Sequence, residues 1–207
     1  MQLSDAHRDA LNDILHWRRD VRHFLSDPIS ADILARLHAA MDMAPSVGNA
    51  RPWRVLQVTT PKLRQAIIAN FEAANETASA IYDDEKRATY AQLKLAGLRD
   101  APVHLAVFTE QNPDEGHGLG RQSMPEMLCY STVAAIHTLW LAARAENLGL
   151  GWVSILDPAK VARTLGVPDS WHLTGYLCLG KAAFDDDMPL LDRKKWQANT
   201  PTAWTEI

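Results

Sequence analysis

Three arginines crowd into five residues at Arg18-Arg19-Asp20-Val21-Arg22. Guanidinium groups placed this densely repel one another unless an anion is near, and their planar forks match both a phosphate and a ring carbonyl. Each charge-assisted hydrogen bond of that kind contributes about 1.5–3 kcal/mol. The same run also reads as a solvated helix end in which Asp20 neutralises a neighbour. A second cluster, Ala44-Pro45-Ser46-Val47-Gly48-Asn49-Ala50-Arg51-Pro52-Trp53, brings backbone N–H groups, a hydroxyl and an amide together. It could bond the edge of a heterocycle, or simply join a helix to a strand. The third, Gly149-Leu150-Gly151-Trp152-Val153-Ser154-Ile155-Leu156-Asp157, is a glycine-flanked strand on which a flat ligand could lie close to the backbone. Ser154 is its one hydroxyl; as a core strand it would need no ligand. The fourth, Gly118-Leu119-Gly120-Arg121-Gln122-Ser123-Met124-Pro125-Glu126-Met127, is a polar loop that could cover a site or cap the helix after it.

Other chemistries find no support. The glycines form neither a GxGxxG turn nor a GxxxxGK[ST] loop, so dinucleotide and ATP sites are not expected. There is no HExxH, no paired-carboxylate arrangement and no defensible Ser-His-Asp set. Cys129 and Cys178 lack metal-ligand spacing, so two buried thiols and no metal are expected, and the eight histidines read as structural or surface residues. A net charge of -4 gives no global field for nucleic acid or an acidic membrane. The polar N-terminus lacks a secretory pattern, and the most apolar stretch, 131–145, carries His137 and Arg144 and is too short to span a bilayer. A cytoplasmic protein is the expectation.

The elements that must position these clusters follow from periodicity. Helices are predicted at 4–17, where Ser4 can cap and Leu11, Ile14 and Leu15 share a face, and at 31–43, where Leu34, Leu37, His38 and Met41 do. Further helices are predicted at 62–73, 77–97 and 158–165. A long one from Pro125 to Asn147 is apolar nearly all round and so expected to be buried, partly against another subunit. Strands are predicted at 54–60, 103–109, 150–155 and 172–180. The tail, 185–207, has no period but carries apolar residues, and a neighbouring subunit could receive it. With 207 residues and 47% hydrophobic content, one domain over 1–207 is expected: α+β, a mostly antiparallel sheet flanked by helices.

In this order the clusters resemble the nitroreductase-like FMN superfamily. The carriers are R-R-D-V-R-x-F, A-P-S-V-G-N-x-x-P-W and G-L-G-W-V-S-I-L-D-P, spanning roughly residues 14–180. Asp20, where ordinary nitroreductases usually have serine, the G-L-G-R-Q-S-M-P-E segment and W-V-S-I-L-D-P resemble its aerobic 5,6-dimethylbenzimidazole synthase branch. The resemblance implies a homodimer with FMN at the subunit interface and a C-terminal arm packed on the partner subunit. Arg18 would meet the FMN phosphate and Arg22 the N1/O2 edge of the ring, with Arg19, Asp20 and Val21 lining the same cleft. Ser46, Gly48 and Asn49 would come from the other subunit, and Trp152, Val153 and Ser154 would lie along the ring. The implied reaction is the oxygen-dependent fragmentation of reduced FMN to 5,6-dimethylbenzimidazole, the lower ligand of cobalamin, and erythrose 4-phosphate. FMN is then a bound substrate, supplied reduced by a separate NAD(P)H-dependent flavin reductase. Asp20 would transfer protons, and Ser154 would hydrogen-bond the ring and help place oxygen or a proton. The rival readings are an NAD(P)H-dependent nitro- or quinone reductase that keeps its FMN, and a flavin carrier without chemistry. Two positions depart from the pattern: Arg51 stands where glutamine is common before Pro-Trp, and the tail matches poorly where a C-terminal cation often holds phosphate, leaving Arg193 or Lys194 as substitutes.

Overall fold

Alternating apolar residues in the strands put one core on each face of a single sheet. The computed structural model describes residues 1–83, 86, 87, 90 and 96–207. Strands β1 (Trp53–Gln57), β2 (Val103–Glu110), β3 (Gly149–Val153) and β4 (Trp171–Gly180) pair antiparallel in the order β1-β2-β4-β3. The division is clearest in β2 and β4, where side chains two apart share a face. Leu105, Val107, Leu177 and Leu179 enter one core with Leu37 and Ile136; Ala106, Phe108, Tyr176 and Cys178 enter the other with Ile67 and Val161.

The first core is covered by α2 (Ala31–Met41) and α5 (Met127–Ala145), the second by α3 (Pro61–Ser79) and α6 (Pro158–Leu165). Local chemistry sets the ends. Ser30 and Asp157 accept N–H groups of the first turns of α2 and α6, Pro61 and Pro158 occupy first-turn positions, and Gly166 closes α6 in the left-handed region. His38, expected on the apolar face of α2, is exposed. The helices expected at 62–73 and 77–97 are joined in part: α3 runs unbroken through Ala74-Asn75-Glu76, which offer nothing to stop it. Much of the 77–97 expectation falls outside the described residues; α4 (Gly97–Asp100) follows them.

Two helices leave apolar surface uncovered. No residue of α1 (Asp5–Trp17) is buried, and Leu11, Leu15 and Trp17 are exposed. On α5, Cys129, Tyr130, Val133 and His137 form an exposed stripe at three- and four-residue spacing. Cys129 was expected to be buried; it faces outward because the opposite side of α5, with Leu128 and Thr132, takes the core. Cys178 is buried as expected.

Beyond Gly180 the chain pairs with an early segment. Leu25 N–H donates to the Lys181 carbonyl at 2.9 Å and Ala183 N–H to the His23 carbonyl at 3.0 Å. The tail then folds back over its own chain through α7 (Leu190–Arg193), and residues 197–207 are exposed. Among the described residues no helix is long and apolar enough to cross a membrane.

Candidate active site

The arginine run is an added rung on the sheet's β3 edge. Val21 N–H donates to the Leu150 carbonyl at 3.0 Å, and Asp20 bridges Leu150 in parallel. Asp20 Oδ1 accepts the Trp152 N–H at 2.9 Å, so its carboxylate replaces the backbone acceptor a further strand would offer. The approach requires glycine. A Cβ on Gly149 would lie 2.5 Å from Val21 Cγ2, and one on Gly151 would lie 2.2 Å from the Val21 carbonyl oxygen. The glycines expected to admit a flat ligand therefore admit Val21 of their own chain.

A cleft of about 410 Å³ opens between residues 17–23, the end of α5 and the tail. Five cations (Arg18, Arg19, Arg22, Arg144 and Lys194) and three carboxylates (Asp20, Asp185 and Asp186) line it, an excess of positive charge. Some are committed. Arg144 pairs with Asp185 at 3.2 Å, and Arg22 Nε lies 3.5 Å from Asp20 Oδ2. Arg19 donates to the carbonyls of Arg18 at 2.6 Å and Asp187 at 2.5 Å, which ties the tail to the run; its buried Nε has no hydrogen-bond partner among the described residues. The Arg18 guanidinium lies 4.9 Å from the Trp140 ring centroid. Trp140 Nε1–H donates to the Arg19 carbonyl at 3.1 Å, and its ring is 6.3 Å from that of Trp152.

Burial is the largest influence on Asp20 and holds its carboxyl above the usual carboxylate range; the Trp152 N–H, Arg22 and Arg18 pull the other way. Between the two opposing effects left open by the sequence, desolvation is the stronger. Ser154 lies just past the end of β3 and is exposed, not a satisfied core serine. It follows Trp152 by two residues, about 7 Å of extended chain. Asp20 lines the cleft, whereas Ser154 is outside the residues that line it.

The Ser46–Asn49 loop is not at this cleft. Val47 N–H donates to Ser131 Oγ on α5 at 3.0 Å, and Ser46 Oγ accepts the Arg51 N–H at 3.0 Å. Ser131 and Trp140 are nine residues apart on α5, about 13 Å along the helix axis. Gly48, with φ of 56°, packs against the polar loop that begins at Gly118: a Cβ there would lie 2.9 Å from the Leu119 carbonyl oxygen. Arg51 is turned from any cleft at the arginine run by an ion pair with Asp42.

Comparison with known proteins places this geometry. The Nitroreductase family model matches residues 15–181. The chain belongs to the nitroreductase family. Among its relatives, a 5,6-dimethylbenzimidazole synthase of Rhodobacter capsulatus is 57% identical over 204 residues, 99% of each chain. Another 5,6-dimethylbenzimidazole synthase, from Rhodospirillum rubrum, is 50% identical over 194 residues, covering 94% of this chain and 92% of that one. Among solved structures, an iodotyrosine deiodinase bound to FMN and 3-iodo-L-tyrosine superposes with a TM-score of 0.72 at 22% identity, covering 95% and 97% of the two chains. A Desulfitobacterium hafniense nitroreductase with bound FMN gives 0.63 at 20% identity, covering 84% and 90%. The antiparallel sheet flanked by helices is the nitroreductase fold.

Within this nitroreductase-family chain, Arg18, Arg19, Asp20, Val21 and Arg22 share one cleft, and Trp152 joins them through its N–H. Val153 is buried in the second core, with its side chain away from the cleft. Ser46, Gly48 and Asn49 lie apart. Sequence reasoning missed Trp140 and Arg144. Their period within α5 marks a packed helix face but cannot reveal contacts with Arg19 and Asp185, 121 and 41 positions away. Of the two tail cations, Arg193 is held by Asp186 and Asp187 at 2.5 and 2.6 Å, whereas Lys194 lines the cleft. Among the described residues no cluster of three or more His, Cys, Asp or Glu is placed to hold a metal.

Proposed function

We propose that this chain is a 5,6-dimethylbenzimidazole synthase that takes reduced FMN as its substrate and, with molecular oxygen as the oxidant, yields 5,6-dimethylbenzimidazole, erythrose 4-phosphate and the oxidised pyrimidine remainder of the isoalloxazine. The observation that carries the reading is Asp20. In a chain 57% identical to a named synthase, its carboxylate is fixed on the Trp152 N–H beside a cationic cleft.

The cleft suits a flat, phosphorylated ligand. Arg18 has no hydrogen bond or ion pair from its guanidinium among the described residues, and Lys194 faces the same space, so two cations are available to a phosphate. Arg22 turns to the electron-rich edge of the ring. Reduced flavin, when bound, supplies the electrons that activate oxygen and the carbon skeleton of the product. The chain's own residues orient it, exclude water and handle protons. Asp20, its pKa raised by burial, holds a proton more readily than an ordinary carboxylate, which suits a group that must both accept and return one. The Ser154 hydroxyl, exposed at the end of β3, hydrogen-bonds the ring near its reacting edge.

The site is completed by a second copy. Ser46, Gly48 and Asn49, whose loop is held at the Ser131 end of α5, serve the partner's cleft, as the family resemblance implies. The exposed stripe of α5, the apolar face of α1 and residues 197–207 supply surface for that contact. A separate NAD(P)H-dependent flavin reductase delivers the reduced flavin.

The test mixes the protein with photoreduced FMN, admits air, and measures dimethylbenzimidazole by mass spectrometry for the native chain, Asp20→Asn and Ser154→Ala. Stoichiometric loss of FMN with product from the native chain, and flavin binding with little product from the variants, is expected. Direct NAD(P)H consumption with intact FMN would instead identify a reductase.

A further inference from the structure

We propose that Trp140 is a positioning residue that sets the phosphate grip and Asp20 together, an inference that rests on the FMN reading above. One indole makes both attachments. Its face lies under the Arg18 guanidinium, 4.9 Å from centroid to Cζ, which fixes the direction in which an otherwise unpaired cation points. Its Nε1–H donates to the Arg19 carbonyl at 3.1 Å. That carbonyl belongs to the peptide linking Arg19 to Asp20. The very next anchors are the Asp20 carboxylate on Trp152 N–H at 2.9 Å and Val21 N–H on the Leu150 carbonyl at 3.0 Å.

The segment is therefore pinned from two sides. β3 holds it from Asp20 onward, and Trp140 holds it immediately before, from a different element, α5. Without the indole bond, no other hydrogen bond from α5 restrains the Arg19–Asp20 peptide among the described residues, and the carboxylate can swing about its β3 attachments. Without the ring, Arg18 loses the surface that aims it across the cleft. The half-buried Trp140 lines that cleft while its remaining surface packs against the first core. Trp140 thus ties the phosphate grip at Arg18 to the segment that β3 holds at Asp20.

Two variants separate the two attachments. Trp140→Leu removes both the aromatic surface and the N–H; Trp140→Phe keeps one aromatic ring under Arg18 and removes the N–H together with the second ring. Affinities for FMN and riboflavin are measured side by side by fluorescence quenching. The ratio isolates the phosphate grip, since riboflavin lacks the phosphate. Trp140→Leu is expected to cut the preference for FMN about five- to twentyfold, and Trp140→Phe to leave it within about twofold. Amide hydrogen exchange then reads the second attachment: Val21 and Trp152 N–H groups should exchange about three- to tenfold faster in Trp140→Phe. Loss of packing alone would weaken both flavins equally and leave their ratio unchanged. That result, in a Trp140→Leu protein with native circular dichroism, overturns the proposal. Where Trp140→Leu fails to fold, unchanged exchange in Trp140→Phe overturns it. A native chain that binds FMN but makes no dimethylbenzimidazole defeats the proposed reaction and leaves the flavin ratio and the exchange rates to decide the role of Trp140.

Discussion

Gly151→Ala puts a methyl group where the Val21 carbonyl already sits. The ideal Cβ position is 2.2 Å from that oxygen, whereas ordinary contact begins near 3.4 Å. The arginine run must retreat by roughly 1 Å, since repulsion rises steeply inside contact distance. Both attachments that seat it on β3, Val21 N–H to Leu150 at 3.0 Å and Trp152 N–H to Asp20 at 2.9 Å, lengthen together. Overpacking of this kind costs about 1–3 kcal/mol. At roughly 2–4 °C per kcal/mol for a chain of this size, Tm should fall by about 2–12 °C. The larger effect is on chemistry: a displacement of about 1 Å in a catalytic group can cost 100-fold in rate. Differential scanning calorimetry gives the first number, and dimethylbenzimidazole formed per minute from photoreduced FMN gives the second. Gly166→Ala is the comparator. Gly166 has φ of 67° with nothing within 4 Å of its Cβ position, so that variant should lose about 1 kcal/mol of stability and keep its activity. A Gly151→Ala protein that melts with the native chain and keeps full yield would refute the seating of the arginine run on β3.

The other predictions concern charge. Because burial raises the Asp20 pKa, the acid limb of the product-yield profile should lie above about pH 4, the ordinary carboxylate value; a flat profile down to pH 4 would remove Asp20 as the ionising group. His104, 1% exposed and bonded through Nδ1 to the Tyr176 hydroxyl at 3.0 Å, has its pKa lowered to about 4 by burial and by Arg64. The native state prefers its neutral form, so stability is intact above the unfolded value near 6.5 and is lost as pH falls from there toward 4. Thermal melts across that window should show the slope, and His104→Gln should flatten it. Lys194→Ala should weaken FMN binding about three- to tenfold and leave riboflavin binding unchanged, while Arg193→Ala, which frees Asp186 and Asp187, should act on stability instead; titration calorimetry and melting curves distinguish the two.

The elements were legible wherever one period dominated. The α6 bounds, with a capping aspartate, a first-turn proline and a terminal glycine, coincide with the expected 158–165. The end of β3 was not legible, because Trp152-Val153-Ser154-Ile155-Leu156 is apolar on both sides of the point where pairing with β4 stops at Val153. That misplacement made Ser154 read as a candidate core serine. The arginine run was visible as a charge anomaly, but which anion it served came from the family resemblance. The sequence says only that Gly149 and Gly151 lack a side chain; that Val21 fills the space is a tertiary fact. Asp20 and Trp152 are 132 positions apart and Trp140 and Arg19 are 121 apart, so neither contact leaves a local trace.

The pairing of residues 23–25 with residues 181–183 also has a consequence for synthesis. The run at 18–22 leaves the ribosome early, yet its flanking partners, Leu150 and then Lys181 and Ala183, are translated much later. At 5–20 residues per second, roughly 130 residues of further translation, about 6–26 s, precede Trp152, and roughly 160, about 8–32 s, precede Ala183. A nascent chain stalled before Gly149 carries three arginines with no β3 edge to rest on. Ribosome-bound intermediates that lack β3 therefore cannot present the cationic cleft in its finished geometry, which only the completed chain holds.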